Sequence, residues 1–410
     1  MTPSPQEQRR LGILGGGQLA KMLCDAARRL GLDPVVFAEN MTDPAAQVAV
    51  KTCLGKLNDR TALARFFAEV DLAIIESEFV DCDLLDQMPR GPTGEAKIFP
   101  STSVIRRLQD KIEQKRVLEA AHVPTSPWMR KPLHQSWSEW LAEIFPAGRT
   151  KRLVLKWARL GYDGKGTLLD DGSPTHAERA TAWCLDAERR GIEVFAEDQI
   201  RFKSEVAIVA AHSVTGESVS WPVVISRQRN GVCEEVVGPA TRFGVSSAVE
   251  EKAKKYAAAV ARSSGLCGVF AIEFFLGEND QLLVNEIAPR VHNSGHWSMD
   301  GAAAGQFENH WRAVLGMPLG ATTGAGWFSM LNLLGPAGVS GPAHGLAPKP
   351  VPGVFVHWYG KAELRPGRKM GHLNIFAGDQ KEFEARVADM KRCHTNWTHE
   401  IEKQLKRNSN

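Results

Sequence analysis

The sequence predicts a multidomain protein that combines an α/β unit with an α+β unit, and three observations carry that prediction. The chain has 410 residues, more than one hydrophobic core normally organises, which points to two or three domains. Near its start, short apolar strands alternate with helical stretches, the pattern of a parallel sheet with crossover helices. Further on, short strands dominate and helices are few, the segregation of an α+β unit. Hydrophobic residues make up 43% and charged residues 24%, ordinary values for a globular chain, so disorder at large is excluded. No apolar run reaches the ~18 residues of a membrane span.

The elements follow in order. Residues 1–10 read as a polar tail with no apolar segment after its charges, so it is not a secretory signal. Leu11 to Leu14 forms a strand that runs through Gly15-Gly16-Gly17 into a helix over Leu19 to Leu30. Val35 to Phe37, Leu72 to Ile75 and Lys97 to Pro100 supply further strands of the first unit. A charged amphipathic helix covers 103–121 and is stopped by Pro124 and Pro127. Strands are expected at 153–157, 167–169, 194–200, 205–210, 220–225, 269–276 and 282–287, with a helix at 249–263. Residues 335–353 are rich in proline and glycine and read as a linker. A strand at 354–358, a basic turn at Arg365 to Lys369 and a charged helix from 380 to 392 or beyond close the chain. The seven cysteines are scattered with no C-x-x-C, so neither a disulfide framework nor a zinc ribbon is expected, and a cytoplasmic location fits. Fifty basic against 47 acidic residues leave +3, which calls for no nucleic-acid partner.

Gly15-x-Gly17-x-x-Ala20 after a strand, with Glu39 ending the second strand, satisfies a dinucleotide fingerprint. Two readings stay open: an NAD-binding loop, or a tight turn of a Rossmann-like unit whose anion site serves another phosphate.

The run from Val269 to Ile287 is a hairpin of two apolar strands around Asn279-Asp280. A two-residue turn there sets Glu273 directly opposite Glu286. Like charges so placed destabilise a sheet, and the flanking residues are apolar. Either a hard cation, Mg²⁺ or Mn²⁺, neutralises the pair together with substrate phosphates, or each glutamate is a surface group with its own basic partner. Lys156, at a strand end, precedes a second glycine loop, Gly161 to Thr167. Such a loop can turn backbone N–H groups toward anions, or be a surface hairpin only. Arg290, His292, Asn293, Ser294 and His296 crowd a loop just past the carboxylates, where a planar guanidinium and amide donors suit an anion.

Together these pieces resemble the ATP-grasp superfamily, and within it the N5-carboxyaminoimidazole ribonucleotide synthetases of purine biosynthesis. The matching segments are 15–20, 109–115, 161–166, 285–297, 306–308, 357–361 and 365–372. The resemblance implies a Rossmann-like pre-ATP-grasp domain at 11–102, an ATP-grasp core at 103–325 with a lid near 125–196, and a small β-rich C-terminal domain at 326–410. It implies that ATP phosphorylates bicarbonate to carboxyphosphate, which carboxylates 5-aminoimidazole ribonucleotide, with Mg²⁺ as metal and a homodimer as assembly. Lys111, Lys156 and the lid residues Gly161, Tyr162, Asp163, Gly164, Lys165, Gly166 and Thr167 are then expected at ATP. So are Glu197, Asp198, Gln199 and Ile200, whose backbone would grip adenine, and Glu205 at the ribose. Gln228, Asn285 and Glu286 complete the ATP set, and Glu273 with Glu286 would hold the metal. Arg290, His292 and Asn293 would surround bicarbonate as the catalytic group. Gln18, Glu76, Tyr162, Asp163 and Ser294 would face the aminoimidazole ribonucleotide, with Lys361, Arg365 and Arg368 near its 5′-phosphate.

The chain departs from the family at Lys111, where an arginine is usual, at the run Ile75 to Val80, and at Gln228, where a histidine is usual. Alternatives are another ATP-grasp ligase, of formate-dependent or biotin-carboxylase type, an NAD-dependent oxidoreductase, and a degenerate nucleotide-binding protein. The intact carboxylate pair and Lys156 speak against the last.

Overall fold

The computed structural model describes residues 10–88, 97–146, 150–161, 166–173, 175–229, 231–324 and 326–407. The first unit is a parallel five-stranded sheet of β1 (Leu11–Leu14), β2 (Val35–Ala38), β3 (Lys51–Leu54), β4 (Leu72–Ile75) and β5 (Lys97–Phe99), in the order β3-β2-β1-β4-β5. The central strands β1 and β4 are apolar and buried throughout because helices cover them. β3 and the helix Arg60–Glu69 escape the sequence reading, since Lys51–Leu54 carries little apolar signal.

The single helix expected over 103–121 is two, Thr102–Leu108 and Lys111–Ala120. Asp110 breaks it: its carboxylate caps the second helix, accepting the Ile112 and Glu113 N–H groups. Lys111 opens the second helix, and its N–H, free of the first, bonds the Ala158 carbonyl at 2.7 Å.

A four-stranded antiparallel sheet follows, β6 (Trp128–Arg130), β7 (Leu153–Trp157), β8 (Thr167–Leu169) and β9 (Val194–Asp198), in the order β6-β9-β7-β8. Helices Trp137–Ile144 and His176–Arg189 cover it around Trp140, Leu141, Ala180 and Cys184.

The largest sheet contains β10 (Ser204–His212), β11 (Ser218–Ser220), β12 (Val224–Arg229), β13 (Val232–Gly238), β14 (Gly268–Leu276), β15 (Leu282–Ala288) and β16 (Trp327–Leu334). The strand expected at 220–225 is split into β11 and β12 around Trp221-Pro222, because proline cannot donate to a ladder. A small pair, β17 (Gly341–Pro342) and β19 (Glu363–Leu364), flanks β18 (Phe355–Trp358) in sequence, and β20 (Lys369–Ala377) comes last. The large sheet runs β15-β14-β10-β12-β13-β16-β20-β18. The C-terminal strands therefore continue the central sheet, although they carry their own core under the 28-residue helix Gln380–Arg407. Helix Gln18–Arg29 packs on helix Gln306–Leu315, with Trp311 Nε1 donating to the Leu23 carbonyl at 2.9 Å, so the glycine loop and the central sheet share one core.

Candidate active site

The carboxylate pair sits where the strands demand it, but by a route the sequence did not reveal. The turn is the three-residue Glu278–Asp280, with Gly277 N–H on the Gln281 carbonyl at 2.8 Å. From that turn the ladder pairs Leu276 with Leu282 and Phe274 with Val284, which alone would bring Asn285 opposite Glu273. A bulge at Asn285 adds one residue to β15 and restores Glu286 to Glu273. The bulge thus delivers two polar side chains to one spot, Asn285 toward Lys156 Nζ at 3.0 Å and Glu286 toward Lys111 Nζ at 2.6 Å.

Charge is unevenly met here. Lys111 ion-pairs with Glu286 from a neighbouring helix, so a basic partner meets one glutamate of the pair and not the other. Burial would lower the Lys111 ammonium, yet the adjacent Glu286 leaves it raised. Glu273 has no lysine or arginine in ion-pair contact among the described residues; His292 Nε2 lies 3.6 Å away. Burial, then the Glu286 and Glu205 charges, push the Glu273 carboxyl up to about 7. His292 cannot relieve it, because burial and the Arg290 and Lys369 charges hold its ring neutral.

Lys156 ion-pairs with Glu197, and Lys115 reaches the other Glu197 oxygen at 2.8 Å while bonding Thr125 and Ser126. Both Lys115 and Glu197 are 3% exposed in their side chains, so this is a buried network. Burial would raise the Glu197 carboxyl; the two ammonium groups overcome it and hold it at about 2. Glu197 therefore contributes its side chain to the lysines, beyond the backbone grip expected of it.

The polar run is fixed just as firmly. Arg290 spends its fork on Glu78, with Nε 2.5 Å from Oε2 and Nη2 3.0 Å from Oε1, rather than leaving it open for an anion. Asn293 and Asn332 exchange amide hydrogen bonds at 2.9 and 2.8 Å. Ser294 Oγ is 2.9 Å from His292 Nδ1.

These groups surround one cavity of ≈ 860 Å³. Of the expected residues, the cavity takes Lys111, Lys156, Gly161, Thr167, Glu197 to Ile200, Glu205 and Gln228. It also takes Glu273, Asn285, Glu286, Arg290, His292, Asn293 and Ser294, together with Gln18 and Glu76. Gly166 is off the lining, against the Trp157 ring, and Tyr162 to Lys165 lie outside the described residues. Lys361, Arg365 and Arg368 are off the lining as well. Arg365 bonds Glu363 and Arg368 Nη1 donates to the Glu363 carbonyl at 2.8 Å. Their loop docks on the first unit through Gln47 Nε2, 2.8 Å from the Gly360 carbonyl. From there the Lys361 charge still acts on Glu76.

Sequence reasoning missed Lys115, Glu78, Lys369 and a stack of Phe202 on Phe275, 4.8 Å apart at 18°, on the cavity wall. Phe275 is two residues from Glu273 on the same strand face, a signal that was readable. Lys115 is one helical turn from Lys111.

The first glycine loop is not an open phosphate cradle. The Gly17 and Ala20 N–H groups are both taken by Glu76 at 2.8 Å. A pyrophosphate would have to displace a carboxylate, which removes the dinucleotide reading.

A four-stranded antiparallel sheet and a larger antiparallel sheet sharing one cavity, with two lysines and a carboxylate pair between them, define an ATP-grasp ligase. The chain matches the family described as ATP-grasp domain over residues 116–307. Ribonucleotide synthetase preATP-grasp domain matches 8–109, and phosphoribosylaminoimidazole carboxylase C-terminal domain matches 329–386. More particularly, the chain belongs to the N5-carboxyaminoimidazole ribonucleotide synthase family. It is 34% identical to the N5-carboxyaminoimidazole ribonucleotide synthase of Mycobacterium bovis, over 95% of this chain and 89% of that one. It is 36% identical to that of Synechococcus elongatus, over 89% of each. The crystal structure of the Thermus thermophilus synthetase superposes with a TM-score of 0.78 at 34% identity, covering 93% of this chain and 98% of that one. The Aspergillus clavatus synthase in complex with ADP and 5-aminoimidazole ribonucleotide gives 0.82 at 30%, covering 95% and 100%.

Proposed function

We propose that this protein carboxylates 5-aminoimidazole ribonucleotide with bicarbonate at the expense of ATP, giving N5-carboxyaminoimidazole ribonucleotide, ADP and phosphate in purine biosynthesis. The observation that carries the reading is the in-register Glu273–Glu286 pair, set between Lys111, Lys156 and the Arg290–Ser294 run in one cavity. A bicarbonate oxygen attacks the γ-phosphorus and ADP leaves. The exocyclic amine then attacks the carboxyl carbon of carboxyphosphate, the bond to phosphate breaks and the nitrogen loses its proton.

The residues fit a hard divalent cation: two oxygen ligands face each other, one of them short of positive charge, with the Asn285 amide beside them. Glu273 and Glu286 would hold Mg²⁺ or Mn²⁺, which neutralises phosphate charge during transfer. The chain's own residues do the rest. Lys111 and Lys156 are poised to exchange carboxylate partners for ATP phosphates. Phe202 and Phe275 offer a flat apolar wall for adenine beside Glu197–Ile200, and Glu205 reaches the ribose. Arg290, positioned by Glu78, supplies a fixed positive charge to the anionic intermediate, with His292 and Asn293 as hydrogen-bonding groups. Glu76, Gln18 and Ser294 face the ribonucleotide, and Lys361, Arg365 and Arg368 lie toward its phosphate. The lid excludes water from a labile intermediate. The seven free cysteines and the absence, among the described residues, of a helix able to cross a membrane fit a cytoplasmic enzyme, which we take to be a homodimer.

ADP release tests this. Full rate is expected only with bicarbonate and 5-aminoimidazole ribonucleotide together. Equal release with formate and glycinamide ribonucleotide would overturn the assignment.

A further inference from the structure

Gln306 opens the helix Gln306–Leu315 and is fully buried behind the cavity. Its carboxamide is spent on the 290–297 loop. Oε1 accepts the His292 N–H at 2.8 Å, while Nε2 donates to the His292 carbonyl at 2.8 Å and lies 2.9 Å from His296 Nδ1. Ser298 ties helix and loop a second time, donating to the Gly295 carbonyl at 2.6 Å and accepting the Gln306 N–H at 3.0 Å. Gly295 permits the approach, since a Cβ there would fall 2.8 Å from Gln306 Oε1.

These bonds locate a proton. The His292 N–H can only donate, so the amide oxygen must face it. The amide nitrogen then faces His296 Nδ1 and can only donate, so Nδ1 carries the lone pair. Burial, reinforced by the Lys369, His357 and Arg290 charges, holds the ring neutral, down to about 3. A neutral ring with a bare Nδ1 has its proton on Nε2. His372 at 4.9 Å and Phe307 at 5.6 Å wedge the ring by tilted contact. Gln306 is the only side chain hydrogen-bonded to that ring among the described residues. His296 lines the same cavity as Arg290, His292 and Ser294.

We propose that Gln306 is a positioning residue that holds His296 as the Nε2–H tautomer, so that His296 donates a hydrogen bond to an oxygen of the anion bound by the Arg290–Ser294 run. The other tautomer would set a lone pair against that oxygen. The inference rests on the carboxylation reading above.

The test uses the unmodified enzyme labelled with nitrogen-15 at histidine, with His296 assigned by its loss in His296→Gln. Two-bond proton–nitrogen correlations should show His296 protonated at Nε2 and bare at Nδ1. A protonated Nδ1 overturns the proposal whichever reaction the enzyme runs, so this failure is distinguishable from failure of the ADP-release test. In Gln306→Glu the carboxylate can only accept. His296 should switch to Nδ1–H, and kcat for the complete reaction should fall about ten-fold or more while KM for ATP stays within about two-fold. His296→Gln keeps an N–H near the Nε2 position and should retain more activity than His296→Ala. Equal losses in those two variants, or lost activity in Gln306→Glu with the tautomer unchanged, would leave Gln306 a structural residue only and overturn the proposal.

Discussion

Glu76 and Glu273 are both drawn into the protein, yet their surroundings are opposite. Glu76 receives two backbone N–H groups from the first glycine loop, at 2.8 Å each, and feels the Arg290 and Lys361 charges. Glu273 faces a second carboxylate across a ladder, and the lysine between them bonds the other one. Burial raises both carboxyls, but only the Glu76 site supplies donors in return. A loop that satisfies its own anion is scaffold. A carboxylate pair left short of positive charge is where we propose that the cation binds. The glycine motif that looked most like a binding site is the closed one.

The largest effect should come from the open site. Glu286→Gln removes half of the proposed metal pair and the Lys111 partner while preserving shape. Turnover should fall on the order of 100-fold or more, with circular dichroism unchanged. Activity that survives with the same Mg²⁺ dependence would erase the distinction between the two regions.

Glu197 is the intermediate case, a buried carboxylate satisfied by side chains rather than backbone. Its pKa in the fold is about 2 against an ordinary 4.5, so the stabilisation from its two lysines is complete above about 4.5 and lost as pH falls toward 2. Glu197→Gln strands two buried ammonium groups and should cost about 3 kcal/mol at neutral pH by urea unfolding. The gap between variant and parent should then narrow on acidification. A pH-independent gap would mean that packing, not charge, makes the difference.

Much of this was legible in the sequence, and the gaps have physical causes. Four of the five parallel strands, with β7 and β8, show in the sequence as apolar runs with glycine or proline boundaries, whereas β3 does not. A two-residue turn at Asn279-Asp280 predicts the observed pairing of Glu273 with Glu286 although the turn has three residues, because the longer turn and the bulge shift the register in opposite senses and cancel. The Lys115–Glu197–Lys156 network joins residues distant in sequence, and no local period encodes it. The continuity of the C-terminal strands with the central sheet was hidden by the proline- and glycine-rich stretch at 335–353, which reads as a linker although β16 precedes it and already pairs with β13.

The smallest effect separates backbone conformation from the Glu76 contact. Gly15 has φ +126°, and a Cβ there would fall 2.4 Å from Glu76 Cγ, whereas Gly31 has φ +73° and open space around it. Gly31→Ala should cost about 1 kcal/mol of stability, the left-handed penalty alone. Gly15→Ala should cost about 3 kcal/mol, because φ +126° is harder on a side chain than φ +73° and because the Cβ also pushes the carboxylate off two backbone N–H groups. Urea unfolding followed by tryptophan fluorescence measures both. Equal losses would show that the Glu76 carboxylate contributes nothing to the loop, and the glycine motif would again be available to an external anion.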